Sequence, residues 1–461
     1  MTTRTAIVCF LCASVVSFAT PSAEAAPSRT LSIEEAIAHA LAHHPRIRTS
    51  QAGEAAGDAR VDEAEARKLP DVGVSLQVNR STGNTVPGAF LPQTGFVPIA
   101  GAPRGRTFDG GEWQTGGSVW ASWDVLSLVR QAAAVDVALA AKREAEIGTS
   151  ARRFEVAYAV ADAYLNVLGA EETVKAMHAY VERTRVFAGI VKTLVAQELR
   201  PGADAARVDA EIAVAQTDLA RAMQSEDVRR AQLSEALGGT DERVEVAAGG
   251  LLGPVDDERP SGTATTAQHP LVLEAASAVA RTREQKSATE LEYLPRLDLV
   301  ASLWVRGSGY YGSAADGLAP DIPNWAAGAV ATWAFSDLPR VRARVRAAAA
   351  TEAAAASRRD ETTLAVESQL RAAVAVLDGA VKVARNTPPA LASAKAAETQ
   401  ASARYKAGLA SEIEVADAQR LVVRAEVDDA LARLDVRRAA LLVARAKGDL
   451  APFLTRARGG R

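Results

Sequence analysis

Trp113-Gln114-Thr115-Gly116-Gly117-Ser118-Val119-Trp120-Ala121-Ser122-Trp123-Asp124 is a run in which two kinds of side chain alternate. In an extended chain, Trp113, Thr115, Gly117, Val119, Ala121 and Trp123 fall on one face and Gln114, Gly116, Ser118, Trp120, Ser122 and Asp124 on the other, because strand side chains point alternately to opposite sides. Upstream, Val72, Val74, Leu76 and Val78 alternate with Gly73, Ser75, Gln77 and Asn79, a sheet pattern with one apolar and one polar face. Far downstream, Leu297, Leu299, Ala301, Leu303 and Val305 share one face, as do Trp325, Ala327, Ala329, Ala331, Trp333 and Phe335. Each run is long enough to cross a bilayer at the usual tilt, which takes about 9 to 11 residues. All six tryptophans of the chain lie in these four windows, with Tyr293, Tyr310 and Tyr311 beside the third. Such rings gather where lipid meets water, so Trp113, Trp123, Trp304, Trp325 and Trp333 are the candidate membrane-interface aromatics.

The four windows form two pairs because the chain repeats itself. His44-Pro45 recurs as His269-Pro270 and Leu69-Pro70 as Leu294-Pro295, both at a spacing of 225. Trp123 then matches Trp333, Asp204 matches Glu414 and Gly238 matches Gly448, all at 210. One deletion of 15 residues in the second copy's intervening loop reconciles the two registers. An internal duplication follows, and the Gly-, Pro- and Asp-rich segment between the copies reads as a linker.

Outward from the strands lie helices of unusual length. No proline interrupts Leu128 to Ala196, a span that makes a rod of about 100 Å at ~1.5 Å per residue. Such a rod needs neighbours lying alongside it. In the following helix Val208, Ile212, Ala215, Leu219 and Ala222 step by four and three, the seam of a coiled coil. The second long helix is expected to break at Pro388-Pro389, where two successive residues lack the backbone donor.

The bulk properties agree. Of 461 residues, 53 are Lys or Arg and 56 Asp or Glu, a net charge of −3 that disfavours binding nucleic-acid phosphate. Hydrophobic residues make up 48% but aromatics only 5%, the composition of long helices rather than of an aromatic-packed α/β enzyme. Arg4, the apolar run Ala6 to Ala19 and Ala23-Glu24-Ala25 read as a secretory signal peptide. Its removal takes Cys9 and Cys12 with it, leaving no thiol for a disulfide, metal site or nucleophile. No other stretch offers the roughly 20 apolar residues of a spanning helix, so a membrane crossing has to be made by strands.

Four strands cannot close a barrel, whose smallest forms need about eight. Closure therefore requires several copies, and cyclic symmetry would bring their rods together into a hollow cylinder. With these features, and with Arg404-Tyr405-Lys406-Ala407-Gly408-Leu409-Ala410-Ser411-Glu412-Ile413-Glu414-Val415, the chain resembles the outer membrane efflux protein family, the TolC-like channels of Gram-negative bacteria, over essentially its whole mature length. The resemblance implies a mainly α fold with a membrane β-barrel: duplicated half-chains, four strands and long coiled-coil helices per protomer, and a trimeric twelve-stranded barrel continuing into a twelve-helix periplasmic tunnel. It divides the chain into a signal peptide (1–25), a periplasmic helix (26–70), a barrel hairpin (71–127, extracellular loop 81–111), tunnel helices (128–237) and a linker (238–267). The second copy supplies a periplasmic helix (268–295), a hairpin (296–336, loop 307–323), tunnel helices (337–447) and a tail (448–461).

The implied role is that of an exit duct in the cell outer membrane, a homotrimer whose tips meet a periplasmic adaptor bound to an inner-membrane pump. The quoted segment looks like the family's tip, with Gly408 at a left-handed helix end and Ser411 capping the next helix with Glu414 three residues on. By resemblance, Arg404, Gly408, Leu409 and Ser411, with Pro201 and Gly202 of the first copy, form the adaptor contact. Asp204, Tyr405, Glu414 and Asp417 form the periplasmic gate, Tyr405 reaching Asp204 and the other two acids making a cation-attracting ring. Two departures stand out. Ala410 occupies the family's latch-arginine position, for which Arg404 could substitute, and Glu198 stands where the first tip's glycine belongs, so that Arg200-Pro201-Gly202 is expected to form that turn.

Enzymatic motifs are missing: there is no phosphate loop, no His-Glu-x-x-His and no nucleophile elbow. Catalysis, cofactor and metal are therefore not expected. His39, His43 and His44, with Glu35, lie at helical spacing, a pattern read as an exposed helix face rather than a ligand set. Two rival readings stay open: the same duct serving type I protein secretion, and a soluble periplasmic coiled-coil scaffold. No residue forms a recognisable specificity pocket, so metal ions, drugs, solvents and protein all remain possible cargo.

Overall fold

The structure is a computed structural model that describes residues 29–81, 112–239, 244–253, 266–308, 316–320 and 322–458. The expected signal peptide, residues 82–111 of the first extracellular loop, residues 309–315 and 321 of the second with Tyr310 and Tyr311, part of the linker and the last residues lie outside these. Each copy contains an antiparallel strand pair, β2 (Asp71–Ser81) with β3 (Glu112–Asp124) and β5 (Arg296–Ser308) with β6 (Ile322–Thr332), joined edge to edge as one sheet in the order β2-β3-β5-β6. The register aligns Val74 with Val119, Val119 with Leu303 and Leu303 with Trp325, so one apolar face runs unbroken across the sheet. Most of that face is bare in the single protomer, Leu76 being 83% and Trp325 75% exposed, while at one end Thr115 is buried and donates to the Gly317 carbonyl at 2.8 Å. Strands β2 and β6 are its free edges.

The register also sorts the tryptophans. Trp113, Trp123 and Trp325 lie on the apolar face, and Trp333 lies just past the end of β6, its ring 4.7 Å from that of Phe335. Trp304 does not join them. It opposes Ser118 and Asn324, on the polar face that also carries Trp120, because even-numbered and odd-numbered residues of β5 point to opposite sides.

Four helices extend from the sheet as two hairpins: α3 (Ser127–Ala196) returns as α4 (Gly202–Leu237), and α6 (Leu338–Lys406) as α7 (Glu412–Lys447). Helix α3 packs along α7, which joins the hairpins. The break expected at Pro388-Pro389 is not there; α6 runs through both prolines. The missing donor of Pro388 strands the Ala384 carbonyl, and the Thr387 hydroxyl lies 3.3 Å from that oxygen and 2.8 Å from Asp429 on α7, so the side chain partly replaces the lost bond and a neighbouring helix steadies the joint.

The expected single helix before the first hairpin is two, α1 (Ile33–His43) and α2 (Pro45–Ala66). His44 is held extended by the following proline and caps α2 with its ring nitrogen, 3.1 Å from the Arg46 amide. The corresponding helix of copy two is α5 (Pro270–Glu290), capped in the same way by His269. The landmarks of the repeat meet in space: a Cβ on Gly448 would lie 2.7 Å from Pro270, and one on Gly238 3.0 Å from the His44 backbone. Two short strands, β1 (Arg29–Leu31) and β4 (Val244–Val246), pair in parallel, and the buried Tyr164 hydroxyl shares its one proton between the Leu31 and Ala247 carbonyls, 2.9 and 2.7 Å away. A last helix, α8 (Ala451–Arg458), occupies the expected tail.

Candidate functional site: the helical tips

Both hairpins turn by the same backbone device. At the second tip the Gly408 amide donates to the Tyr405 carbonyl at 3.0 Å and the Leu409 amide to Arg404 at 2.9 Å, around a left-handed Gly408 with φ 75°. At the first tip the Glu198 amide donates to Val195 at 3.0 Å and the Leu199 amide to Leu194 at 2.9 Å, around Glu198 with φ 58°. Glu198 therefore makes the turn itself, contrary to the expectation that Arg200-Pro201-Gly202 would. The pair of turn hydrogen bonds holds a glutamate in a conformation that glycine normally fills. Pro201 only marks the start of α4, with no side-chain cap.

Helix α7 starts with a full capping box: the Ser411 amide donates to Glu414 at 3.3 Å and the Glu414 amide to the Ser411 hydroxyl at 3.4 Å. Arg404 folds over this turn, donating to the Leu409 carbonyl at 3.1 Å and standing 3.3 Å from the Glu414 carboxylate. It is thereby engaged within its own tip. Leu409 and its counterpart Leu199 project into solvent, 70% and 66% exposed.

The structure brings Tyr405 and Asp204 into the seam between hairpins but does not bond them. Tyr405 is buried against Phe187, ring centroids 5.2 Å apart, with the Arg200 guanidinium 4.5 Å above its ring. Its hydroxyl has no hydrogen-bond partner among the described residues. Burial, and the nearby Asp204 and Glu412 carboxylates against the opposing Arg200, push this phenol above its ordinary pKa. Arg200 sits at the repeat position of Ala410 and reaches the Tyr405 and Ala410 carbonyls at 3.2 and 3.1 Å. The arginine missing from the second tip is thus present on the first.

Three further charged contacts join the hairpins, none singled out from the sequence. Arg207 of α4 meets the buried Glu412 at 2.5 Å. Burial favours protonation of Glu412, but Arg207 and a backbone amide outweigh it and hold the carboxyl below its usual range. Arg420 of α7 grips Glu211 of α4 through two bonds of 2.8 and 2.5 Å, and Tyr180 of α3 donates to the same carboxylate at 2.7 Å. Burial pushes Glu211 up while Arg420 and Tyr180 pull it down further, and burial beside that carboxylate raises the Tyr180 phenol to about 12. Higher up, Arg183 meets Glu426 at 2.8 Å. Asp417 pairs with Arg420 at 3.2 Å and keeps a mostly exposed side chain, as does Glu414 to a smaller degree. The one sequence signal for this ladder is the i,i+3 placement of Asp417 and Arg420; the rest depends on which helices face each other.

No helix among the described residues is long and apolar enough to cross a membrane. The model of a family described as "Outer membrane efflux protein" matches residues 36–239 and 263–449. No curated protein matches the sequence. Among solved structures, the channel CusC superposes with a TM-score of 0.75 at 14% identity, covering 90% of this chain and 92% of that one. The outer membrane protein VceC of Vibrio cholerae gives 0.72 at 16% identity, covering 90% and 96%. The open state of the MtrE outer membrane channel of Neisseria gonorrhoeae gives 0.72 at 17% identity, covering 90% and 89%. At these identities the likeness establishes a shared fold.

Proposed function

Since this chain belongs to the outer membrane efflux protein family, and so is an outer-membrane channel rather than an enzyme, we propose that three copies form the exit duct of a tripartite efflux system. One observation carries the reading: a four-stranded sheet with a continuous exposed apolar face and two unpaired edges is built directly onto helices of 70 and 69 residues. Unsatisfied strand edges are not tolerated in lipid. Pairing β6 of one copy with β2 of the next satisfies every edge at once, and the same symmetry wraps the rods around one axis. The polar sheet face then lines the lumen, and Trp113, Trp123, Trp325 and Trp333 face the lipid boundary.

At the far end, the tips would close the tube and meet the adaptor. Exposed Leu199 and Leu409, beside Arg404, Gly408, Ser411, Pro201 and Gly202, offer an apolar knob on each hairpin. Glu414 and Asp417 offer two carboxylates per chain to an entrance ring, a focus for cations. Asp204 and Tyr405 lie behind them in the seam held by Arg200. A passive tube takes its cargo from an inner-membrane pump. Efflux is favoured over protein secretion by the family model that matches this chain, whose description names efflux.

The test is reconstitution of detergent-purified protein in a planar bilayer. The reading requires a trimeric particle and a cation-preferring pore, and the double substitution Glu414→Gln with Asp417→Asn should reduce that preference severalfold. A conducting pore with unaltered selectivity would reject the acidic ring; a water-soluble monomer without conductance would reject the duct. Capture of a periplasmic adaptor by the intact trimer, abolished by Leu409→Asp, tests the partner.

A further inference from the structure

Two indoles are on what the sheet register makes the wrong face. Trp120 opposes Gly73 and Ser302, while Trp304 opposes Ser118 and Asn324, among small and polar neighbours rather than with the apolar residues across the sheet. Both are half-buried in the single protomer. On adjacent strands they are offset by two residues, about 7 Å along the strand, a diagonal within reach of aromatic side chains. Trp120 has a structural reason for its place, since it lies across Gly73, where a Cβ would come within 2.5 Å of the ring. Trp304 has no glycine opposite it. A large aromatic surface facing an aqueous lumen carries a cost that polar side chains at the same positions would avoid.

We propose that Trp120 and Trp304 form a stacking subsite in the barrel lumen for planar aromatic solutes. The inference rests on the duct reading, which turns this face inward. Neither of the other surfaces that could cover the indoles fits: lipid meets the opposite face, and a neighbouring copy joins the sheet at its edges, β2 and β6. An aromatic solute passing along the wall gains ring-to-ring contact of a kind that ions and aliphatic solutes do not. Threefold repetition sets six indoles around the passage, enough to slow planar aromatics selectively without closing the pore.

The experiment measures block of the reconstituted full-length pore by ethidium, a planar aromatic cation, against tetraethylammonium, an aliphatic cation of equal charge. Trp120→Leu with Trp304→Leu should raise the half-blocking concentration of ethidium severalfold and leave tetraethylammonium unchanged. Trp304→Leu alone, which leaves the Trp120 contact with Gly73 intact, should give an intermediate shift and serves as the reporter if the double variant does not assemble. Trp325→Leu on the lipid face should change nothing. Unchanged ethidium block in a conducting Trp304→Leu pore overturns the subsite, as does an equal loss in Trp325→Leu, which would assign the effect to partition into lipid. Absence of any conductance in the parent protein is the separate failure that strikes the duct reading.

Discussion

The two tips are copies of one turn that have divided the work between them. The second holds its own conformation: glycine at the left-handed position, a serine-glutamate capping box, and Arg404 folded onto its own loop. The first has Glu198 at the left-handed position and no side-chain cap, yet its arginines Arg200 and Arg207 reach across to the second. One tip is stable locally, and the other is stable through its partner. On the duct reading proposed above, in which the tips gate a trimeric pore, the gate should be sensitive to contacts between hairpins and less so to ion pairs within a tip.

The largest effect is expected where a contact between hairpins holds a buried carboxylate whose cation is then removed, leaving it only the Tyr180 hydroxyl. Arg420→Ala removes both bonds to Glu211, whose side chain is only 14% exposed, and half-exposure of the arginine lowers the usual loss of ~3–5 kcal/mol for breaking a buried pair to about 2. The closed pore should leak, measured as raised basal conductance, with trimers dissociating at lower temperature. Arg404→Ala, which breaks an exposed pair inside one tip, should cost no more than ~0.5 kcal/mol and leave basal conductance alone. Equal leakage in both would erase the division of labour.

Next in size is Gly408→Ala. No atom crowds the added Cβ, but φ of 75° remains, so the loss is the left-handed penalty of ~1–2 kcal/mol, read as lowered thermal stability of the trimer. Acid separates the tips in another way. Glu211 and Glu412 have folded pKa values held below the ordinary glutamate value, near 4.3 when unfolded. Depressed carboxylates add stability above that value and lose it as pH falls through their folded pKa. Conductance should therefore rise below about pH 4, and a Glu211→Gln pore should show less of that rise.

The legible parts of this fold were those written into a single segment. Alternation in 113–124 sets the faces of the sheet, and Ser411 with Glu414 announces the start of α7. The His-Pro and Gly landmarks were visible as a repeat, though not that they touch. What stayed hidden depends on partners distant in sequence. Arg200, Arg207, Glu211 and Arg420 look like any solvated helix charges until α3, α4 and α7 are laid together. Pro388-Pro389 reads as a break because its rescue by Thr387 and Asp429 spans two helices. Strands β1 and β4 have three residues each, too few to show a period. Trp304 lies within a strand window, but its parity in β5 puts it on the polar face, away from Trp113, Trp123 and Trp325.

A small effect is expected at Glu198, and its sign is the sharpest test of the comparison. Glycine there would remove a left-handed penalty of ~1–2 kcal/mol, but glycine also loses more backbone freedom on folding, a cost of ~0.5–1 kcal/mol. The difference leaves Glu198→Gly stabilising by a few tenths to ~1 kcal/mol, measurable as a small rise in the trimer's dissociation temperature. If the first tip is held mainly by Arg200 and Arg207, this gain should persist in an Arg404→Ala background, because the contacts of Arg404, to the Leu409 carbonyl and the Glu414 carboxylate, lie within the second tip. A loss of stability on introducing glycine would mean that the Glu198 side chain itself holds the turn. The first tip would then be locally determined, as the second is.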